Sequence, residues 1–277
     1  MKKFLKCCTV VLGAGVGLLL LAGFVLYAVG MQKLTRSYPD IPVETVNIPT
    51  DLDAIARGQH IAIIWACTKC HGDDLSGKLI DNSVFSGTIP ASNLTSGNGG
   101  IASSYTDLDW VRAIQHGVKP NAQAEILMNN YSTISAQDLG ALMAYLKQLP
   151  PVSSNLPEMR FGAMLPVASA LGLWTPAAEK IDPNAPYPAE PVPGTTLEYG
   201  QYLSPVCTEC HKAKNIGRAV EEWSQEDFIR AMQAGVLPDG KLISPAMRKK
   251  TFSELNNTEL SALWLYFRSL QPSESQK

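Results

Sequence analysis

Cys67-Thr68-Lys69-Cys70-His71 and Cys207-Thr208-Glu209-Cys210-His211 are two copies of one pentapeptide, C-x-x-C-H. Thiols three residues apart lie about one helical turn from each other, the spacing at which they can add to the two vinyl groups of a porphyrin. The residue that follows then presents an imidazole to the iron. The pattern predicts two covalent haem c groups, one thioether-linked through Cys67 and Cys70 with His71 on its iron, the other through Cys207 and Cys210 with His211. A C-x-x-C pair is also the sequence of a redox dithiol or a disulfide. The histidine directly after both copies favours thioether attachment.

Outward from the pentapeptides, the flanking sequence repeats in the same order, which predicts two small helical units in tandem. A helix runs into each motif, from about Asp51 with Thr50 as its cap in the first copy and from Thr196 in the second. Thr106 with Asp109 starts the next helix of the first copy and Ser224 with Asp227 that of the second, each closing near a glycine, Gly117 or Gly235. Ser135 with Asp138 and Asn256 with Glu259 start the closing helices, whose apolar residues recur at helical spacing. The expected fold is all-α: an N-terminal membrane helix (1–33), a first domain (51–151), a proline-rich linker (152–195) and a second domain (196–272). Ten prolines between Pro150 and Pro193 preclude a long helix there, although Met164 to Trp174 is apolar enough to pack on a domain. The stretch 72–104, rich in Gly, Ser, Asn and Asp, reads as a long loop that the second copy lacks.

Lys2, Lys3 and Lys6 precede an uncharged run from Cys7 to Gln32, ended by Lys33 and Arg36. Its length suits a single membrane span better than the shorter apolar region of a cleaved signal peptide. The leading lysines place the N-terminus in the cytoplasm and the remainder on the exported side. The 277 residues carry a formal net charge of -2, and nothing in them suggests nucleic acid binding. Four of the six cysteines belong to the pentapeptides, leaving Cys7 and Cys8 beside the apolar run, so no structural disulfide is expected in the soluble part.

The second axial position of each iron must come from the same repeat. Beyond His211 the second copy has no histidine, so methionine is the available strong ligand there. Met247 lies in the Pro245-Ala246-Met247 loop before the closing helix, and Met128 holds the same place in the first copy. This shared position selects Met128 and Met247 as iron ligands. Met143 and Met232 sit at apolar helical positions and read as core, and Met143 corresponds to Trp264, which cannot ligate. His116 at a helix end and His60, on the helix that runs into Cys67, read as structural. His/Met ligation raises the reduction potential and leaves no open site on the iron.

On these motifs the chain resembles membrane-anchored dihaem cytochromes c of bacterial respiratory chains, built from two class I cytochrome c domains. The resemblance implies an electron carrier in the bacterial cytoplasmic membrane with its haem domains in the periplasm. It passes single electrons between a redox protein donor and an acceptor, such as a membrane or periplasmic dehydrogenase or a terminal oxidase. The segment Ala91-Ser92-Asn93-Leu94-Thr95 is similar to a loop of cytochromes that accompany dehydrogenases. There the polar residues lie near the haem propionates, which makes Asn93 and Thr95 candidate cofactor contacts. A dihaem peroxidase or a thiosulfate-oxidising cytochrome is the competing class; the first needs an open iron and the second a cysteine ligand, and both copies here offer a methionine. A third reading is the cytochrome subunit of a dehydrogenase or oxidase complex. Lys241, Arg248, Lys249 and Lys250 read as a basic rim for docking an acidic partner, or as a solvated cluster.

Overall fold

The computed structural model describes residues 2–208, 210–245, 247 and 250–270, with side chains from Thr9 onward. Readings that rest on the Cys7 and Cys8 side chains, on Glu209, on Arg248 and Lys249, and on 271–272 lie outside the described residues. Lys2–Leu34 forms one helix, α1, and its stretch Thr9–Leu34 is long and apolar enough to cross a membrane. From Thr9 to Val25 its side chains are exposed, Leu26 and Tyr27 are partly covered, and Gly30 and Leu34 are buried against the rest of the chain.

α2 (Leu52–Ile64) leads through Trp65 and Ala66 into α3 (Cys67–His71), the first pentapeptide. The cap of α2 is Asp51 and not the expected Thr50: its carboxylate accepts from the Ala54 amide at 2.8 Å. Ala66 takes a left-handed conformation at φ 64°, which breaks the helix and turns Cys67–His71 away from its line. A small side chain limits the cost of that turn.

After α3 the structure departs from the all-α expectation. The polar stretch expected as a loop holds β1 (Lys78–Ser83) and β2 (Gly87–Ala91), an antiparallel pair in the register Lys78 to Ala91 with a bulge after Leu79. A short β3 (Arg160–Phe161) from the connector completes the sheet in the order β1-β2-β3. Every β1 side chain is exposed, so burial imposed no alternating pattern that sequence reading could detect.

α4 (Asp107–His116) and α5 (Ala136–Leu146) finish the first segment. The connector then carries α6 (Met164–Ala170) and a single 3₁₀ turn, Ala177–Glu179. It is fastened down, since Ser169, Ala177 and Ala178 are buried. The second segment follows with α7 (Leu197–Leu203), α8 (Pro205–Thr208), α9 (Ala213–Ala219), α10 (Gln225–Ala234), α11 (Lys250–Ser253) and α12 (Asn257–Ser269). The expected caps are present: Thr106 with Asp109, Ser224 with Asp227 and Asn256 with Glu259 close reciprocal capping boxes, and Gly117 and Gly235 end α4 and α10 at positive φ.

The same packing recurs in both segments. α2 crosses α5 at Gly58, where a Cβ would overlap the Ala141 carbonyl, and α7 crosses α12 at Gly200, where a Cβ would overlap the Ala262 carbonyl. Neither position accepts alanine without moving a helix. Around these crossings lies one apolar cluster that includes Ile61, Leu139 and Leu142 of the first segment and Leu203, Leu260 and Phe267 of the second. Burying each such side chain stabilises the fold by about 2 kcal/mol.

Superposing Gly58 on Gly200 makes His60 the counterpart of Tyr202, and Asp138 that of Glu259. These four meet crosswise. Tyr202 Oη donates to Asp138 Oδ2 at 2.7 Å, and His60 Nε2 lies 2.8 Å from Glu259 Oε1. Arg57 binds both carboxylates, through Nε and Nη2 to Asp138 at 2.9 and 2.8 Å and through Nη1 to Glu259 at 3.4 Å. Asp138 and Glu259 are almost fully buried, so this polar knot ties the segments together in low dielectric.

Candidate functional site

A cavity of about 360 Å³ opens where α3, the β1-β2 sheet and the loop after α4 converge. Cys67, Cys70 and His71 line one part of it and Met128 another. Apolar side chains including Trp65, Ile114 and Leu142 line much of the rest. The cavity therefore brings together four of the six first-segment candidates, Cys67, Cys70, His71 and Met128, on largely apolar walls that suit a porphyrin face.

His71 is oriented by its backbone surroundings. Its Nδ1 lies 2.7 Å from the Ser92 carbonyl oxygen. A carbonyl only accepts, so Nδ1 carries the proton and Nε2 keeps its lone pair free for a metal. Burial, with the Ser92 contact opposing it, holds the ring's basicity below the ordinary histidine value. Burial also pushes the Cys67 thiol up to about 12, helped by Cys70, and does the same to Cys207, helped by Cys210. Reactive redox cysteines are shifted in the opposite direction. None of the four cysteines forms a disulfide.

The loop that carries each methionine is built twice on one plan. After α4, the Lys119 amide donates to the Gln123 carbonyl and the Glu125 amide to that of Gly117, with Val118 bridging Ala124. After α10, the Leu237 amide donates to the Lys241 carbonyl and the Ile243 amide to that of Gly235, with Val236 bridging Leu242. Met128 follows Glu125 by three residues and Met247 follows Ile243 by four. In the second segment His211 Nε2 lies 3.4 Å from Met247 Sδ. Cys207 is buried, while Cys210 and His211 lie at the surface.

Other candidates fall elsewhere. Asn93 and Thr95 are buried but do not line the cavity. Asn93 Nδ2 and Thr95 Oγ1 both donate to the Val152 carbonyl, at 2.7 and 3.0 Å, and so pin the loop to the start of the connector. Met143 is wholly buried in the core, and Met232 packs against it. His116 is buried outside the cavity, its basicity lowered by burial and then by Arg112. Lys241 is paired with Asp239 at 2.7 Å.

Sequence reading missed Ser92, whose part is played by a carbonyl, and Trp65, Lys119 and Glu125, which also line the cavity. Trp65 Nε1 is buried with no hydrogen-bond partner among the described residues, a donor left over for whatever fills the space. The Trp65 ring stands 5.9 Å from Tyr131 and 5.7 Å from Tyr202, and Tyr202 stacks on Tyr199 at 6.4 Å. An aromatic series thus runs from the wall of the first cavity into α7, five residues before Cys207. Its sequence signal was a tryptophan two residues before one motif and a tyrosine five before the other.

No protein-family model matches the chain. Among characterised proteins it is similar to the fructose dehydrogenase cytochrome subunit of Gluconobacter japonicus, 23% identical over 269 residues, covering 83% of this chain and 55% of that protein. It is also similar to the gluconate 2-dehydrogenase cytochrome c subunit of Pantoea cypripedii, 28% identical over 204 residues, covering 66% of this chain and 44% of that protein. The chain spans about half the length of these two relatives. Both are cytochrome subunits of bacterial dehydrogenases.

Proposed function

We propose that this chain is a dihaem electron carrier, the cytochrome subunit of a membrane-bound bacterial dehydrogenase, with residues 51–151 and 196–272 as its two cytochrome c domains and 152–195 as the linker. The observation that carries the reading is the duplicated pairing of a C-x-x-C-H turn with a methionine loop of one design. The first cavity fits the cofactor, since it joins two thiols, an imidazole with a free Nε2 and a thioether on apolar walls. When bound, haem c supplies a one-electron iron couple.

The residues of the chain do the rest. His71 and Met128, and His211 and Met247, would hold the iron of each haem, which would leave no place for a substrate and raise the potential. Ser92 fixes the tautomer and tilt of His71. Trp65 and Tyr131 wall the first cavity, and the Tyr202 ring of α7 stands 5.7 Å from that of Trp65. α1 anchors the chain in the cytoplasmic membrane with Lys2, Lys3 and Lys6 on the cytoplasmic side and the haem domains in the periplasm. The names of the two relatives support a dehydrogenase as the donor; the acceptor is a further respiratory component such as a terminal oxidase.

Solubilising membranes in mild detergent and isolating the chain tests this. A dehydrogenase is expected to accompany it, and that enzyme's substrate to reduce both haems with no consumption of peroxide. A chain isolated without such a partner, with a high-spin haem that turns over peroxide, would overturn the reading in favour of the peroxidase class.

A further inference from the structure

The β1-β2 turn presents Val84 and Phe85 to solvent, 89% and 73% exposed, and Met164 at the start of α6 is 58% exposed. They form one patch, since the Met164 amide donates to the Phe85 carbonyl at 3.0 Å and the Gly162 amide to that of Ser86 at 3.1 Å. Large apolar side chains on a turn tip cost solubility unless something covers them.

The position of the patch identifies the cover. α6 packs along the end of α1: Gly30 fits against Pro166, where a Cβ would overlap the carbonyl, and Lys33 Nζ donates to the Ser169 carbonyl at 3.1 Å. Both contacts advance by three residues on each helix, so the two helices run in the same direction. Met164, two residues before Pro166, therefore lies back toward Ala28 on α1 and into the apolar stretch. Leu26 and Tyr27 are partly covered at this level, whereas 9–25 are bare.

The length of the span sets where that level falls. The 26 residues of Thr9–Leu34 extend ~39 Å as a helix, against a hydrocarbon core of roughly 30 Å. With Lys2, Lys3 and Lys6 held at the cytoplasmic headgroups, about 20 residues fill the core and its far boundary comes near Ala28. Lys33 and Arg36 then stand among the outer headgroups, and the patch meets the outer boundary.

We infer that Val84, Phe85 and Met164 dip into the outer leaflet, so that the first domain sits on the bilayer and its cavity is held at the membrane surface, not swung out on a tether. The inference rests on reading α1 as a membrane anchor, and the experiment separates the two. p-Benzoylphenylalanine is placed at position 85, 164, 16 or 254 of the full haem-loaded chain, which is reconstituted in phosphatidylcholine–phosphatidylglycerol vesicles, illuminated and digested. Peptides carrying positions 85 and 164 are expected to gain the mass of one phospholipid, as position 16 does, while the exposed position 254 gains none. Adducts at 16 but none at 85 and 164 would overturn the docking and leave the anchor standing. No adduct at 16 would overturn both.

Discussion

Replacing Met247 by alanine is expected to abolish the far-red methionine-to-iron band of one haem, to lower that haem's potential by on the order of 0.1 V, and to leave the other haem unchanged. Axial ligands command a range of about 0.8 V across haem proteins, and loss of a soft thioether removes preferential stabilisation of the ferrous state. His211 Nε2 and Met247 Sδ stand 3.4 Å apart, so both groups belong to one site. Met128→Ala should do the same to the first haem, because the two loops share one hydrogen-bond plan. The double variant should lose the band entirely, and opened irons should begin to bind carbon monoxide. Met143→Ala is the control: it empties core volume and lowers stability, but the band survives. Redox titration of the four variants reads all of this; loss of the band in Met143→Ala with retention in Met128→Ala would reassign the first ligand.

The second large effect is expected at the polar knot between the segments. Asp138→Ala removes a buried carboxylate that takes two hydrogen bonds from Arg57 and one from Tyr202. It leaves a half-buried guanidinium short of its main partner and a buried hydroxyl with only the more distant Ser135 Oγ, at 3.4 Å, as acceptor. Breaking such a pair costs about 4 kcal/mol, or roughly 10 °C in melting temperature for a chain of this size. Glu259 adds a pH dependence. Burial pushes its carboxyl up, but hydrogen bonding and charge from His60, the Asn256 amide and Arg57 outweigh burial and hold it below the usual carboxylate range. A depressed carboxylate contributes stability that is fully present above the unfolded value, about 4.5, and lost as pH falls through the folded value. Wild-type protein should therefore lose stability steeply below about pH 4.5, and Glu259→Gln should flatten that limb. Thermal melts from pH 3 to 7 check both points; an Asp138→Ala melting point equal to wild type would show that the knot contributes nothing.

The pentapeptides, the helix caps and the methionine loops were legible because each depends on residue type at fixed spacing. Thr106 and Asp109 cap a helix wherever they are found together, and a cysteine pair followed by histidine has few other uses. The matching loops that carry Met128 and Met247 were legible only as a pair, through their equivalent places in the two copies. What stayed hidden depends on backbone or on distant partners. Ser92 acts through its carbonyl, which no side chain announces, so attention fell on its neighbours Asn93 and Thr95, whose polar groups hold Val152 instead. Asp138 and Glu259 read as ordinary helix-start residues. Their second use appears only when the other segment brings Tyr202 or His60 to them. The sheet escaped notice because its outer strand buries nothing.

The account depends on two haems, each closed by histidine and methionine. Intact mass of the chain taken from membranes, combined with the ferric absorption spectrum of the same sample, tests this most directly. The expected result is a mass increased by two haems, with a methionine-to-iron band whose intensity matches two low-spin irons. A chain carrying one haem or none, or a disulfide within either pentapeptide, would contradict it.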